Sequence, residues 1–154
     1  MESHTLASGA THMKRRIEEL IPQRSPILMV DSLDSVEGRT GRASFVVREE
    51  SFLVDGNLLT EAGLIEHMAQ AALALCSHLC LERGASAPKV GYLGEVKKFR
   101  CYRRPRVGEM LRTLVTLGDE IGGIMLVEGV TYVKEELVSE THLKITVGNM
   151  SNKE

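Results

Sequence analysis

Glu66 is a carboxylate set inside the most apolar stretch of the chain, NLLTEAGLIEHMAQAALALCSHLCLERG from Asn57 to Gly84. Burying a carboxylate costs free energy unless it is paired, hydrogen-bonded or turned to a wet cavity. A carboxylate so placed can protonate a leaving oxygen or activate a water molecule. Asn57, just ahead of the stretch, can only give and accept hydrogen bonds. It suits a substrate carbonyl or a water, and equally a turn at the helix entry, where Asn is favoured. His67 follows Glu66 directly, so on a helix the two point about 100° apart and cannot face one cavity squarely. His78 lies about three turns further on, and His142 alternates with Leu143 and Ile145 and should point outward; all three histidines read as structural. Cys76 and Cys80 share a helix face, yet no second ligand pair stands at metal spacing, so core packing is expected and no metal. A third group is cationic. Lys97, Lys98, Arg100, Arg103, Arg104 and Arg106 put six positive charges into ten residues of a chain whose net charge is −2. Such a patch attracts an acidic or phosphate-bearing partner, or else protects a strand edge.

The elements that must hold these groups follow from pattern. Thr60 as N-cap, Glu61 in the first turn and Gly84 as the C-terminal stop predict one helix over residues 60–83, of about 35 Å. Its apolar positions run almost all the way round, which predicts a helix enclosed by other elements. The polar interruptions Glu66, His67, Gln70, Ser77 and His78 argue against a membrane span. Before it, Lys14–Leu20 reads as an amphipathic turn or short helix. A strand is expected to begin at Ile27–Val30, and a second, alternating one spans Arg39–Glu49. After it come strands at Lys89–Pro105, Met110–Leu117, Ile124–Lys134 and Leu137–Val147. Short turns between them predict an antiparallel meander. A curved sheet of five to seven strands wrapped around one helix, an α+β fold, would bury that helix.

The chain has 154 residues, enough for one domain with a real core. Residues 1–12, MESHTLASGATH, read as an expression leader or disordered tail, leaving a single domain at 13–150. The charge balance and the lack of a recognised motif argue against nucleic acid. An odd number of cysteines, three, reads as reduced thiols in a cytoplasmic protein.

Three motifs, in order, resemble the β-hydroxyacyl-acyl-carrier-protein dehydratases, a hotdog-fold family. IPQRSPILMVD is similar to that family's leucine-proline-histidine-arginine opening, with Gln23 where its histidine stands. LIEHMAQA resembles the helix motif whose carboxylate is catalytic, placing Glu66 there and Gln70 at its glutamine. YLGEVKKFRCYRRPRVGEML resembles the later strand with its arginine-proline turn. The resemblance covers nearly all of residues 20–147. It implies dehydration of a 3-hydroxyacyl group carried by acyl carrier protein, with no cofactor. Glu66 and Asn57 would be the catalytic pair, and Gly63, Gln70 and Phe99 would contact the substrate. The cationic cluster would dock the acidic carrier protein. Two subunits share each active site in that family, so a homodimer or higher even oligomer is implied, with a second dehydratase-like subunit as a further partner. One feature departs from the pattern. Family members carry a Gly-His-Phe-Pro-Gly segment whose histidine is the general base, and here Asp55-Gly56-Asn57 takes its place. A thioesterase, for which one carboxylate activating water suffices, and a catalytically degenerate partner subunit are therefore the alternatives.

Overall fold

The computed structural model describes residues 11–12 and 15–149. Most of the expected leader at 1–12 lies outside them; Thr11–His12 (β1) pairs with the strand that follows. The element order is then a 3₁₀ turn at Ile17–Glu19, β2 (Ser32–Glu37), β3 (Thr40–Val46), β4 (Val54–Asp55), β5 (Leu58–Leu59), α1 (Glu61–Glu82), β6 (Lys89–Cys101), β7 (Met110–Ile121), β8 (Ile124–Val133) and β9 (Glu136–Asn149). One antiparallel sheet of seven strands runs β1-β2-β3-β7-β8-β9-β6, and β4-β5 form a separate small hairpin. The strands wrap α1 as the sequence predicts.

The helix begins and ends where its caps dictate. Thr60 Oγ1 accepts from the Gly63 N–H at 3.0 Å, and Gly84 takes φ +99° while Ala85 N–H closes back on the Cys80 carbonyl at 3.0 Å. Those bonds satisfy orphan groups at both ends of the helix. Between them Leu64, Met68, Ala71, Ala74 and Leu75 are wholly buried. Two close approaches depend on glycine. A Cβ at Gly63 would lie 2.4 Å from Leu59 Cδ1, and one at Gly129 of β8 would lie 2.6 Å from the Leu114 carbonyl oxygen and 2.7 Å from Met68 Sδ.

Enclosure is incomplete along one stripe. Ala62, Ile65, Glu66 and Ala69 stay partly or fully exposed while their neighbours are buried. The stripe lies beside β6, an edge strand paired only with β9 and exposed over most of its length. Register with β9 puts Leu93, Val96 and Phe99 opposite the inward-facing Ile145, Leu143 and Thr141. Bulges at Gly94 and Lys97 break strict alternation and keep those three side chains on the helix side at every third residue.

The strand expected to begin at Ile27 does not form; β2 starts at Ser32. The physical reason is that helix side chains take the backbone partners a strand would use. Gln70 Oε1 accepts from the Met29 N–H at 2.7 Å, Gln70 Nε2 donates to the Ile27 carbonyl at 3.0 Å, and His67 Nδ1 donates to the Met29 carbonyl at 2.6 Å. Residues 27–30 are thus pinned to the helix rather than to the sheet.

Candidate functional site

Those same contacts build the surroundings of Glu66. Gln70, one turn on, donates from Nε2 to Glu66 Oε2 at 2.9 Å as well as to Ile27. Its amide is fully engaged by backbone and carboxylate, so it fixes the Glu66 side chain; the other carboxylate oxygen, Oε1, has no partner among the described residues. Glu66 opens onto a cavity of about 30 Å³. Ala69, Leu73 and Ile145 give the cavity an apolar wall, and Gly91, Tyr92 and Leu93 of the edge strand form its other side. Gln23 also reaches it. Its Oε1 is buried without a hydrogen-bond partner among the described residues.

His67 is placed otherwise. It is fully buried, stacks on Phe45 with ring centroids 5.9 Å apart, and has both nitrogens engaged. Because Nδ1–H must donate to the Met29 carbonyl, neutral Nε2 accepts the Thr113 hydroxyl at 2.7 Å, and Thr131 donates to Thr113 at 2.9 Å. Burial, partly offset by the Met29 carbonyl and Asp31, lowers its pKa to about 4. His67 is a strut between helix, residues 27–30 and sheet. His78 accepts from Arg15 at 3.2 Å, and Arg15 also pairs with Glu82 at 2.7 Å. His142 is half exposed and lies 3.5 Å from Glu128.

Asn57 sits on the exposed turn of the β4-β5 hairpin, behind Gly56 at φ +68°, with its carbonyl accepting from Val107 at 2.9 Å. It does not line the Glu66 cavity of its own chain. Gly63 donates its N–H to the Thr60 cap and packs on Leu59. Phe99 packs against the core cluster of Met29, Phe45, Leu59 and Leu64, away from the same cavity. The cationic cluster divides. Arg103 is held between Glu109 (2.9 Å) and Glu136 (3.0 Å), which raises its pKa further and keeps Glu109 below the usual carboxylate range. Arg104 donates to the Leu59 carbonyl at 3.2 Å, and Arg106 lies 3.9 Å from Glu109. Lys97, Lys98 and Arg100 are exposed on β6 with no ion-pair partner among the described residues. Cys76 and Cys80 are buried at the far end of α1; burial, then the neighbouring Cys80, pushes the Cys76 thiol up to about 12, the mark of an inert core thiol.

Three contributors escaped the sequence reading. Gln23 was visible only as a motif position, since nothing local says that its side chain comes to line the cavity beside Glu66. Thr113 and Thr131 read as ordinary strand formers, and only the register that sets them side by side reveals the hydroxyl chain under His67.

A curved antiparallel sheet around one buried helix, with a carboxylate on the uncovered stripe of that helix, defines a hotdog-fold protein. Comparison with known proteins narrows the class. Residues 15–151 match the model of the ApeP-like dehydratase family. The chain is 35% identical over 133 residues to the 3-hydroxyacyl-[acyl-carrier-protein] dehydratase FabZ of Natranaerobius thermophilus, covering 82% of this chain and 91% of the relative. It is 33% identical to the FabZ of Pediococcus pentosaceus, over 90% of this chain and 94% of that one. The dehydratase heterocomplex ApeI:P from Xenorhabdus doucetiae shares the fold with a TM-score of 0.80 at 18% identity, over 90% of this chain and 95% of its own. The chain belongs to the ApeP-like dehydratase family.

Proposed function

We propose that this chain is one subunit of a two-chain dehydratase that removes water from a 3-hydroxyacyl group on acyl carrier protein, in fatty-acid or related acyl-chain synthesis. Glu66 is the acid, protonating the C3 hydroxyl as it leaves. The base that takes the α-proton comes from the second chain. The observation that carries this reading is the position of Glu66: its carboxylate is oriented by Gln70 at the bottom of a cleft whose outer side is open. None of the three described histidines discussed above reaches it, and Asn57 is no base. The exposed helix stripe and the unpaired edge of β6 form one continuous surface beside this cleft, where a second hotdog chain would roof the site. A homodimer placing Asn57 of each chain at the partner's Glu66 would supply hydrogen bonds but no base, so a related, base-bearing subunit is favoured over a second copy. The family membership and the two-component complex among the structural neighbours support the same arrangement.

Lys97, Lys98 and Arg100 would dock the acidic carrier protein, being the three cations of the cluster with neither an ion pair nor a hydrogen bond among the described residues. Three free cysteines suit a reducing cytoplasm. The test is an assay of enoyl formation from a 3-hydroxyacyl-acyl-carrier-protein by the purified chain, alone and mixed with a histidine-bearing dehydratase subunit of the same organism. Turnover is expected from the mixture, with the chain alone slower by about 10² to 10⁴, the usual worth of a general base. Equal rates with and without the second subunit would overturn the two-chain reading. Hydrolysis of saturated acyl thioesters in place of water loss would replace it by the thioesterase one.

A further inference from the structure

The face of the sheet turned away from α1 carries side chains that the site does not use. Along β3, β7, β8 and β9 the odd-numbered side chains are buried under the helix, while the even-numbered ones at 40–46, 110–118, 124–132 and 140–146 point outward. Met110, Leu126 and Tyr132 are 39%, 45% and 37% exposed there, beside the half-buried Leu114 and Val130. Large apolar side chains gathered on an outer face and rimmed by charge mark a contact surface. The strand register orders this face into rows. One row reads Arg42, Leu114, Val130, Glu140 across β3, β7, β8 and β9: cation, apolar, apolar, anion. On one side of it run Ser44, Arg112 and Tyr132, and on the other Thr40, Thr116 and Glu128. Arg42 and Arg112 are exposed, with neither an ion pair nor a hydrogen bond among the described residues. Glu140 accepts only from the exposed Tyr102 hydroxyl, at 3.2 Å.

The row is complementary to itself. A second copy facing the first about a two-fold axis parallel to the strands, midway between β7 and β8, brings Leu114 onto Val130 of the copy and Arg42 onto Glu140 of the copy, each contact made twice. Arg112 then falls over the Tyr132 ring, whose face attracts a cation, and Glu128 faces the Thr116 hydroxyl. No like charges are opposed in these rows. Sheets packed face to face stand about 10 Å apart with their strands about 30° from parallel, and the side chains at the ends of the row are long enough to meet across that offset. Self-complementarity under a two-fold is what a contact between identical copies requires. An acidic carrier protein would meet Glu128 and Glu140 here as well as the arginines.

We propose that this face is an interface between two copies of the chain, packed outer sheet on outer sheet and fixed in register by two Arg42–Glu140 pairs. It lies across the sheet from Glu66, so it leaves the cleft open to its own second chain and does not depend on the reaction assigned to that cleft. The test is sedimentation equilibrium of the full chain, alone and with its dehydratase partner subunit, native and with charges reversed at the ends of the row. Arg42→Glu sets acid against Glu140 at both ends, and Glu140→Arg sets cation against Arg42. Each variant alone should halve the native particle mass, with a dissociation constant raised about a hundredfold, because opposed like charges across an interface are strongly unfavourable. The two variants mixed in equal amounts are complementary at both ends and should recover the native mass, which also shows that each is folded. A native particle holding a single copy of this chain, a mass that neither reversal changes, or a mixture that stays at half mass overturns the proposal. Loss of the partner subunit in place of the second copy would assign the face to that subunit and overturn it equally.

Discussion

Acidification should weaken this protein through one buried ring. His67 is fully buried and neutral, with its pKa lowered to about 4 from the ordinary 6.5, chiefly by burial. Between those two values the unfolded chain binds a proton that the folded chain refuses, so stability rises with pH across that window and falls as pH drops through it. Taking both values at face, the loss between pH 7 and pH 5 is about 2 kcal/mol, since each pKa unit is worth about 1.4 kcal/mol. For a domain of this size that corresponds to a fall in Tm of about 4–8 °C. The isolating variant is His67→Gln, which keeps a donor and an acceptor near Met29 and Thr113 but cannot titrate. It should start less stable at pH 7, for lost packing on Phe45, and then lose about 2 kcal/mol less than the native protein on going to pH 5. Urea unfolding at both pH values and at fixed protein concentration measures the difference. His78, whose pKa burial also lowers, titrates alike in both proteins and cancels. If the variant loses as much as the native chain, His67 is not the buried neutral strut described above.

Other expectations concern the frame of the site. Gly63→Ala should destabilise by about 1–3 kcal/mol by overpacking, because its Cβ would meet Leu59 at 2.4 Å and 2.8 Å; thermal unfolding reads it. Gln70→Leu should cost about 1–3 kcal/mol for the buried Met29 N–H left unpaired, and should lower dehydration further by freeing Glu66. Reversing the charge of Lys97, Lys98 and Arg100 should raise KM for the carrier-protein substrate in a salt-dependent manner and leave a short thioester lacking the carrier unaffected. The same reversal at Arg103 should instead lower Tm, because Arg103 is committed to Glu109 and Glu136.

What the sequence made legible was local. Thr60 and Gly84 cap the helix through contacts with near neighbours, and Glu66 declares itself by being the wrong chemistry for an apolar run. What it concealed was supplied by partners far along the chain. Residues 27–30 look like a strand because they are apolar and β-prone, yet their backbone bonds go to side chains 38 and 41 residues away. The cationic cluster looks uniform until Glu109 and Glu136 neutralise Arg103 and the Leu59 carbonyl engages Arg104. On β6, bulges at Gly94 and Lys97 replace the period of two by a spacing of three, so alternation misassigns which side chains face the helix. The helix itself reads as buried all round, and the stripe from Ala62 to Ala69 shows where that reading overshoots: Ala62, Ile65, Glu66 and Ala69 are left uncovered by the chain's own sheet, which an apolar composition alone does not distinguish.

The central claim is that Glu66 is the acid of a site completed by another chain, and one substitution meets it directly. Glu66→Gln is nearly isosteric and removes only the acid. It should be assayed as enoyl formation from a 3-hydroxyacyl-acyl-carrier-protein, with the variant chain combined with the native base-bearing subunit and with Tm and complex formation measured alongside. The account predicts a drop of about 10² to 10⁴ in kcat with the complex intact and Tm within a few degrees of native. A Glu66→Gln complex that forms normally and dehydrates at the native rate would contradict it.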